Sequence, residues 1–281
     1  MVLAALILGR TLGLSAPSVG AVNPAAFSAG ACVAYAPTHG DRHLTVFLDA
    51  GHGGLDPGAV GTTQSGRRIY EGDETLPVEL DTAALLRHDG FRVVVSRTRN
   101  TSVARLGRGD VAGRELTAKG VHDDVAARDV CANDAHANVL VGIYFDAGGA
   151  GNAGSLTGYD AARSFASSNV RLANLVQYDV LAAMNARGWN IPNAGVQPDN
   201  QLGSSLTGRS VRYGHLLLLG PASGDWFSTP SRMPGALIEP LFITDPPEGS
   251  IAASRDGQQA IASGVARAVE EYFAPARQSS A

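Results

Sequence analysis

The sequence predicts an α/β fold, a single layered domain in which a mostly parallel mixed sheet is flanked by helices. Short apolar stretches typical of buried strands alternate with longer amphipathic stretches typical of helices. The length of 281 residues suits one large domain with tails. A net charge of -4 gives no reason to expect nucleic-acid binding, which usually requires a basic surface.

The predicted elements follow one another in a regular order. Strands are predicted at residues 43–49, 91–96, 139–145, 216–219 and 235–238, all apolar, and the second of them is rich in valine. Helices are predicted at residues 76–88, 124–135, 170–187 and 251–273. The first helix carries Leu76, Leu80 and Ala83 on one side and ends before Asp89 and Gly90. The polar stretches 97–120 and 189–212 are predicted to be long loops.

The two ends of the chain are predicted to lie outside this domain. Residues 1–40 form an apolar, small-residue-rich segment that resembles part of a signal peptide, with Ala21 or Ala26 near a possible cleavage point. Arg10 interrupts the segment, so it is too short for a stable membrane span. A loosely packed N-terminal arm is the other interpretation. The domain is predicted at 41–274 and a tail at 275–281.

Three polar residues stand just past the ends of apolar strands. His52 lies between glycines after the first strand, Asp146 follows the third, and Glu239 follows residues 235–238. In sheets of this class, sites gather outside the carboxyl ends of the strands. A histidine and a glutamate such as His52 and Glu71, with a third ligand from another strand, would meet the needs of a catalytic zinc. Glu239 could then act as general base and acid.

Several sequence blocks resemble, in order, those of the zinc-dependent N-acetylmuramoyl-L-alanine amidases, the amidase type 3 group of bacterial cell-wall hydrolases. The blocks are VFLDAGHGG at 46–54, EGDETL at 71–76, VVVSR at 93–97, ARDVCAN at 127–133 and PGALIEPLFITD at 234–245. The resemblance spans about residues 44 to 273. It implies hydrolysis of the amide between N-acetylmuramic acid and L-alanine in peptidoglycan, with zinc on His52 and Glu71 and Glu239 as the catalytic residue. It also implies a secreted or cell-wall-associated protein.

One departure concerns the third zinc ligand. Tyr144 stands where the family has a histidine, and a phenol with a pKa near 10 is a poor zinc ligand. Asp146 points to the same side of the strand and could ligate in its place. The spacing of His122, His136 and His215 does not favour any of them. Both Tyr144 and Asp146 therefore remain candidate ligands.

A second departure is Pro77, because proline is tolerated only in the first turn of a helix. We therefore expect the helix to begin near Thr75 and to leave Glu71 in the preceding loop.

Three further points complete the sequence-based interpretation. Cys32 and Cys131 could form one disulfide if the protein is secreted, although Cys131 could equally be a small buried apolar residue. The main alternative to an active amidase is a peptidoglycan-binding or regulatory relative that has lost a zinc ligand, and Tyr144 motivates it. A monomer is expected.

Overall fold

The computed structural model describes residues 18–149, 151–202 and 209–275. The strands of this part of the chain are β1 Ser18–Ala21, β2 Ala31–Tyr35, β3 Thr45–Ala50, β4 Val60–Thr62, β5 Arg68–Tyr70, β6 Arg92–Arg97, β7 Val111–Ala112, β8 Glu115–Leu116, β9 Val139–Ile143, β10 Ser155–Tyr159, β11 Asn193–Pro198 and β12 Gly235–Glu239. The helices are α1 Glu71–His88, α2 Ala118–Asp134, α3 Ala166–Asn185, α4 Arg209–Tyr213, α5 Pro246–Ala252 and α6 Arg255–Phe273.

Eight of the described strands form one mixed sheet in the order β1-β2-β6-β3-β9-β12-β10-β11. The four central strands β6, β3, β9 and β12 run parallel. β10 runs antiparallel to β12, and β11 follows β10 in parallel. This architecture confirms the predicted fold class.

The sheet separates two apolar cores because side chains alternate between its faces. In β3, Val46 and Leu48 pack with residues of α1, α3 and α6, whereas Phe47 packs on the other face with residues of α2. The second face also receives Leu218 and Leu219 from the segment before β12. Strands covered on both faces read as continuous apolar runs, which made β3, β6 and β9 visible in the sequence.

The stretch assigned to an N-terminal arm contributes two strands from residue 18 onwards. β2 pairs antiparallel with β6, and β1 pairs with β2. A disulfide joins Cys32 on β2 to Cys131 on α2 across 99 residues. These strands are short and rich in alanine and glycine, so their pattern resembled a leader rather than a sheet edge. Most of the signal-like segment, residues 1–17, and the tail from 276 lie outside the described residues.

The predicted start of the first helix was wrong. α1 begins at Glu71 rather than near Thr75, and Pro77 lies inside the helix. Tertiary contacts hold its first turns, since Arg97 donates to the Gly72 carbonyl at 2.6 Å and Thr75 donates to the Gly51 carbonyl at 2.9 Å. These bonds fix the turn ahead of Pro77, so the helix can begin at Glu71 although proline provides no backbone donor.

The second error concerns the segments around β12. Residues 216–219 form a turn rather than the predicted strand, and β10 and β11 were not predicted. The turn buries leucines against the sheet without pairing to it, so its apolar run imitates a strand. Among the described residues, no helix has both the length and the apolarity that crossing a bilayer requires.

Candidate functional site

The carboxyl ends of three neighbouring parallel strands meet at one edge of the sheet. β3, β9 and β12 lie side by side and point the same way. His52 follows β3, Tyr144 and Asp146 follow β9, and Glu239 ends β12. Strand order thus brings side chains distant in sequence to a common edge, where α1 adds Glu71 as its first residue.

His52 lies between two carboxylates. Its Nδ1 is 2.9 Å from Asp56 Oδ2, and its Nε2 is 3.2 Å from Glu71 Oε2. Burial lowers the pKa of His52, but the charge of Glu71 and hydrogen bonds to Asp56 and Glu71 outweigh it and raise the pKa to about 10. Asp56 was missed in the sequence, where only its position four residues after His52 hinted at contact.

The turn that presents His52 needs glycine before it. A Cβ at Gly51 would come within 2.4 Å of the Tyr144 ring. His52 itself has a φ of 59°, in the left-handed region that few residues adopt. This tight turn places the imidazole edge-on to Tyr144, with ring centroids 5.4 Å apart.

The Glu71 carboxylate is buried and held from two sides. Its Oε1 accepts a hydrogen bond from the Phe145 backbone N–H at 2.9 Å, and its Oε2 accepts one from the Ala59 N–H at 2.9 Å. Because Glu71 begins α1 instead of lying in a loop, its orientation toward His52 is rigid.

Tyr144 participates in a buried charge network. Its hydroxyl donates to Asp49 Oδ2 at 3.0 Å, and the other oxygen of Asp49 is paired with Arg128. Arg128 also donates to Asp124 at 2.8 Å and to the His52 carbonyl at 2.9 Å. Burial, and next the charge of Asp49, raise the pKa of Tyr144 well above its ordinary value, so its phenol is neutral.

Asp146 and Glu239 lie in the same electrostatic neighbourhood as Glu71. Burial, then the carboxylates of Asp146 and Glu71, raise the pKa of Glu239 to about 8, while His52 opposes the shift. Burial and the Glu71 charge also raise the pKa of Asp146, whose Oδ1 accepts a hydrogen bond from the Ala147 N–H at 2.7 Å. Glu71 thus contacts the imidazole and interacts electrostatically with Asp146 and Glu239, and this gathering of negative charge favours binding of a cation.

A second group of potential metal ligands lies elsewhere. Among the described residues, the only three metal-binding side chains whose ligand atoms lie within 4.8 Å of one another are Asp160, Asp199 and His215. His215 was one of the histidines that spacing did not favour, and the two aspartates were missed because the strands they follow were not predicted. Of the other histidines, His122 pairs with Asp123, and His136 follows α2.

Comparison with known proteins agrees with this geometry. Residues 46–271 match the family described as N-acetylmuramoyl-L-alanine amidase. The chain is 25% identical over 232 residues to a germination-specific N-acetylmuramoyl-L-alanine amidase of Bacillus subtilis, covering 81% of this chain and 79% of that protein. It is 26% identical over 251 residues to the N-acetylmuramoyl-L-alanine amidase AmiA of Salmonella typhimurium, covering 83% and 77%.

A solved structure is similar over most of the chain. An N-acetylmuramoyl-L-alanine amidase from Clostridium difficile 630 superposes with a TM-score of 0.55 at 27% identity, covering 82% of this chain and 96% of that one.

Proposed function

This chain belongs to the N-acetylmuramoyl-L-alanine amidase family, and we propose that it is a zinc-dependent hydrolase of peptidoglycan. The bond cleaved is the amide between N-acetylmuramic acid and L-alanine. The observation that carries the proposal is the pairing of His52 Nε2 with Glu71 Oε2 at 3.2 Å, beside Glu239. The catalytic domain is proposed to include the two N-terminal strands as well as residues 41–274.

The donor set around His52 fits a zinc ion. To bind the ion, His52 would keep the proton on Nδ1, which faces Asp56, and give up the proton on Nε2, which faces Glu71. A carboxylate commonly orients a metal-binding histidine in this way. Imidazole nitrogen and carboxylate oxygen are both ordinary zinc ligands. His52 and Glu71 would hold the ion, which when bound would polarise the scissile carbonyl and lower the pKa of water.

We favour Asp146 over Tyr144 as the third ligand. The Tyr144 hydroxyl already donates to Asp49, and its pKa is raised, so it resists the deprotonation that ligation requires. The Asp146 carboxylate has one backbone donor and interacts electrostatically with Glu71. If this is right, Asp146→Asn should weaken zinc binding at this site, whereas Tyr144→Phe should retain it in direct titration.

Glu239 is proposed to move the proton. A carboxylate with a pKa near neutrality can accept a proton from the attacking water and return it to the departing amine of L-alanine. Its partial exposure at the end of β12 lets water and substrate reach it. Burial is the main cause of this high pKa, and the carboxylates of Asp146 and Glu71 add to it by repelling a further negative charge.

The test of this role is Glu239→Gln, assayed by release of stem peptides from purified peptidoglycan. The expected result is a loss of about 10²- to 10⁴-fold in rate with unchanged zinc content and thermal stability. Glu270→Gln, which removes an exposed carboxylate that pairs with Arg42, is the matched control and should keep full activity. A Glu239→Gln protein with more than a tenth of the wild-type rate would rule out the role.

The alternative of a binding-only relative is not favoured, because the family and the two relatives named above are amidases. Measuring the metal content after dialysis distinguishes an active amidase from a binding-only relative. An active amidase should retain zinc that depends on His52, whereas a binding-only relative should not.

We also propose that the protein acts outside the cytoplasmic membrane, secreted or associated with the cell wall, as a monomer with peptidoglycan as its partner. The Cys32–Cys131 disulfide supports this location, since disulfides persist in oxidising compartments.

A further inference from the structure

Three side chains from separate elements converge at another place in the fold. Asp160 directly follows β10, Asp199 directly follows β11, and His215 follows α4. His215 Nδ1 lies 2.8 Å from Asp160 Oδ2 and 3.2 Å from Asp199 Oδ1. Because β10 and β11 are adjacent and parallel, their carboxyl ends bring the two aspartates together.

Each carboxylate is oriented by the backbone through one oxygen. Asp160 Oδ1 accepts a hydrogen bond from the Ala162 N–H at 2.6 Å, and Asp199 Oδ2 accepts one from the Leu216 N–H at 2.9 Å. The remaining oxygen of each carboxylate faces the imidazole. Outer contacts of this type hold metal ligands in position in known metal sites.

A second observation that points to a bound ion concerns Asp160 Oδ2, the oxygen that faces His215. The Asp160 side chain is fully buried, and its Oδ2 faces His215 Nδ1 at 2.8 Å without a well-formed hydrogen bond among the described residues. The same Nδ1 also faces Asp199 Oδ1, and one ring nitrogen cannot donate fully to two carboxylates. Because buried carboxylate oxygens are nearly always hydrogen-bonded or paired, this shared contact leaves room for a cation as a further partner. His215 is 20% exposed, which leaves a route for an ion to enter.

This group is separate from the site at His52. β10 runs antiparallel to β12, with Leu156 opposite Glu239 and Gly158 opposite Leu237. Asp160 therefore lies four residues along β10 from the level of Glu239, roughly 13 Å at an ordinary strand rise. It lies toward the amino end of β12, so the two groups cannot share one ion.

We propose that Asp160, Asp199 and His215 bind a divalent transition-metal ion such as Zn²⁺. One imidazole nitrogen and two carboxylate oxygens suit zinc, whereas calcium and magnesium take oxygen ligands. The ion would neutralise two adjacent buried carboxylates and tie the segment after α4 to the ends of β10 and β11. That segment continues into Leu218 and Leu219, which pack in the apolar core on the α2 side of the sheet. The expected role of the ion is therefore structural.

The test uses the His52→Ala protein, which weakens the first site, stripped with a chelator and titrated with ZnCl₂ by calorimetry. We expect one equivalent of zinc to bind and to raise the melting temperature by about 5 °C at 100-fold excess over Kd. Adding His215→Ala should reduce the affinity at least tenfold and cut the thermal shift by about half or more at the same zinc concentration. CaCl₂ should produce neither effect.

The control is His88→Ala, which removes an exposed histidine beside Asp89 and should leave zinc binding unchanged. Asp199→Asn is a second ligand variant and should match His215→Ala. If the His52→Ala protein does not fold, anomalous scattering at the zinc edge from wild-type crystals locates the ion directly. The proposal is overturned by equal zinc affinity with and without His215, by equal binding of calcium, or by no anomalous peak at this cluster.

Discussion

Removing the Cys32–Cys131 disulfide should cost this protein a large part of its stability. Both cysteines are fully buried, and the bond closes a loop of 99 residues that contains β3, α1 and β6. The chain-entropy model gives about 4.7 kcal/mol for a loop of this size. The total free energy of unfolding of a domain is about 5–15 kcal/mol, so the loss would be severe.

The perturbation is the double variant Cys32→Ala, Cys131→Ala, compared with oxidised wild type by urea unfolding followed through tryptophan fluorescence. With a denaturant slope of about 3 kcal/mol/M, the expected loss lowers the midpoint by about 1.5 M. A reducing agent should shift the wild type in the same direction and leave the double variant unchanged.

The result that would refute this reasoning is a double variant within about 1 kcal/mol of oxidised wild type. It would mean that the pairing of β2 with β6 is enough to hold β1 and β2 on the sheet and that the cross-link restricts the unfolded chain little.

Three further predictions concern other parts of the molecule. Burial raises the pKa of Glu79 from 4.5 to about 7, so the native state holds a proton that the unfolded chain releases. The free energy of unfolding should therefore fall by about 3 kcal/mol as the pH rises from 4.5 to about 7. Glu79→Gln should flatten this pH dependence in urea titrations, and an unchanged dependence would contradict the prediction. Gly264→Ala would place a Cβ 2.4 Å from the α3 backbone and should cost about 1–3 kcal/mol in thermal melts, unlike Ser263→Ala on the exposed side of α6. Tyr144→His, measured in the His215→Ala background, should raise zinc affinity at the His52 site at least tenfold; no gain would count against the alignment of this position with the family histidine.

Much of the fold could be read from local pattern. β3, β6, β9 and β12 were visible because strands buried on both faces are continuous apolar runs, and their alternation with helices predicted the layered sheet. β10 and β11 were not, since short strands rich in glycine and polar residues are defined by their partners.

Some site residues could likewise be identified from the sequence, whereas others became apparent only in the structure. His52 and Glu239 could be picked out from the sequence because each ends an apolar strand, and that position alone brings them to one edge of the sheet. The sequence could not reveal that α1 starts at Glu71 despite Pro77, because long-range hydrogen bonds from Arg97 hold that turn.

Only the tertiary structure decided which groups pair. It directs the Tyr144 hydroxyl to Asp49, and it brings together Asp160, Asp199 and His215 from three separate elements. The sequence by itself determined the fold class, the family and the strand ends at which chemistry would occur. Pairing depends on contacts between residues far apart in the chain, and such contacts form only when the sheet order and its packed helices are in place.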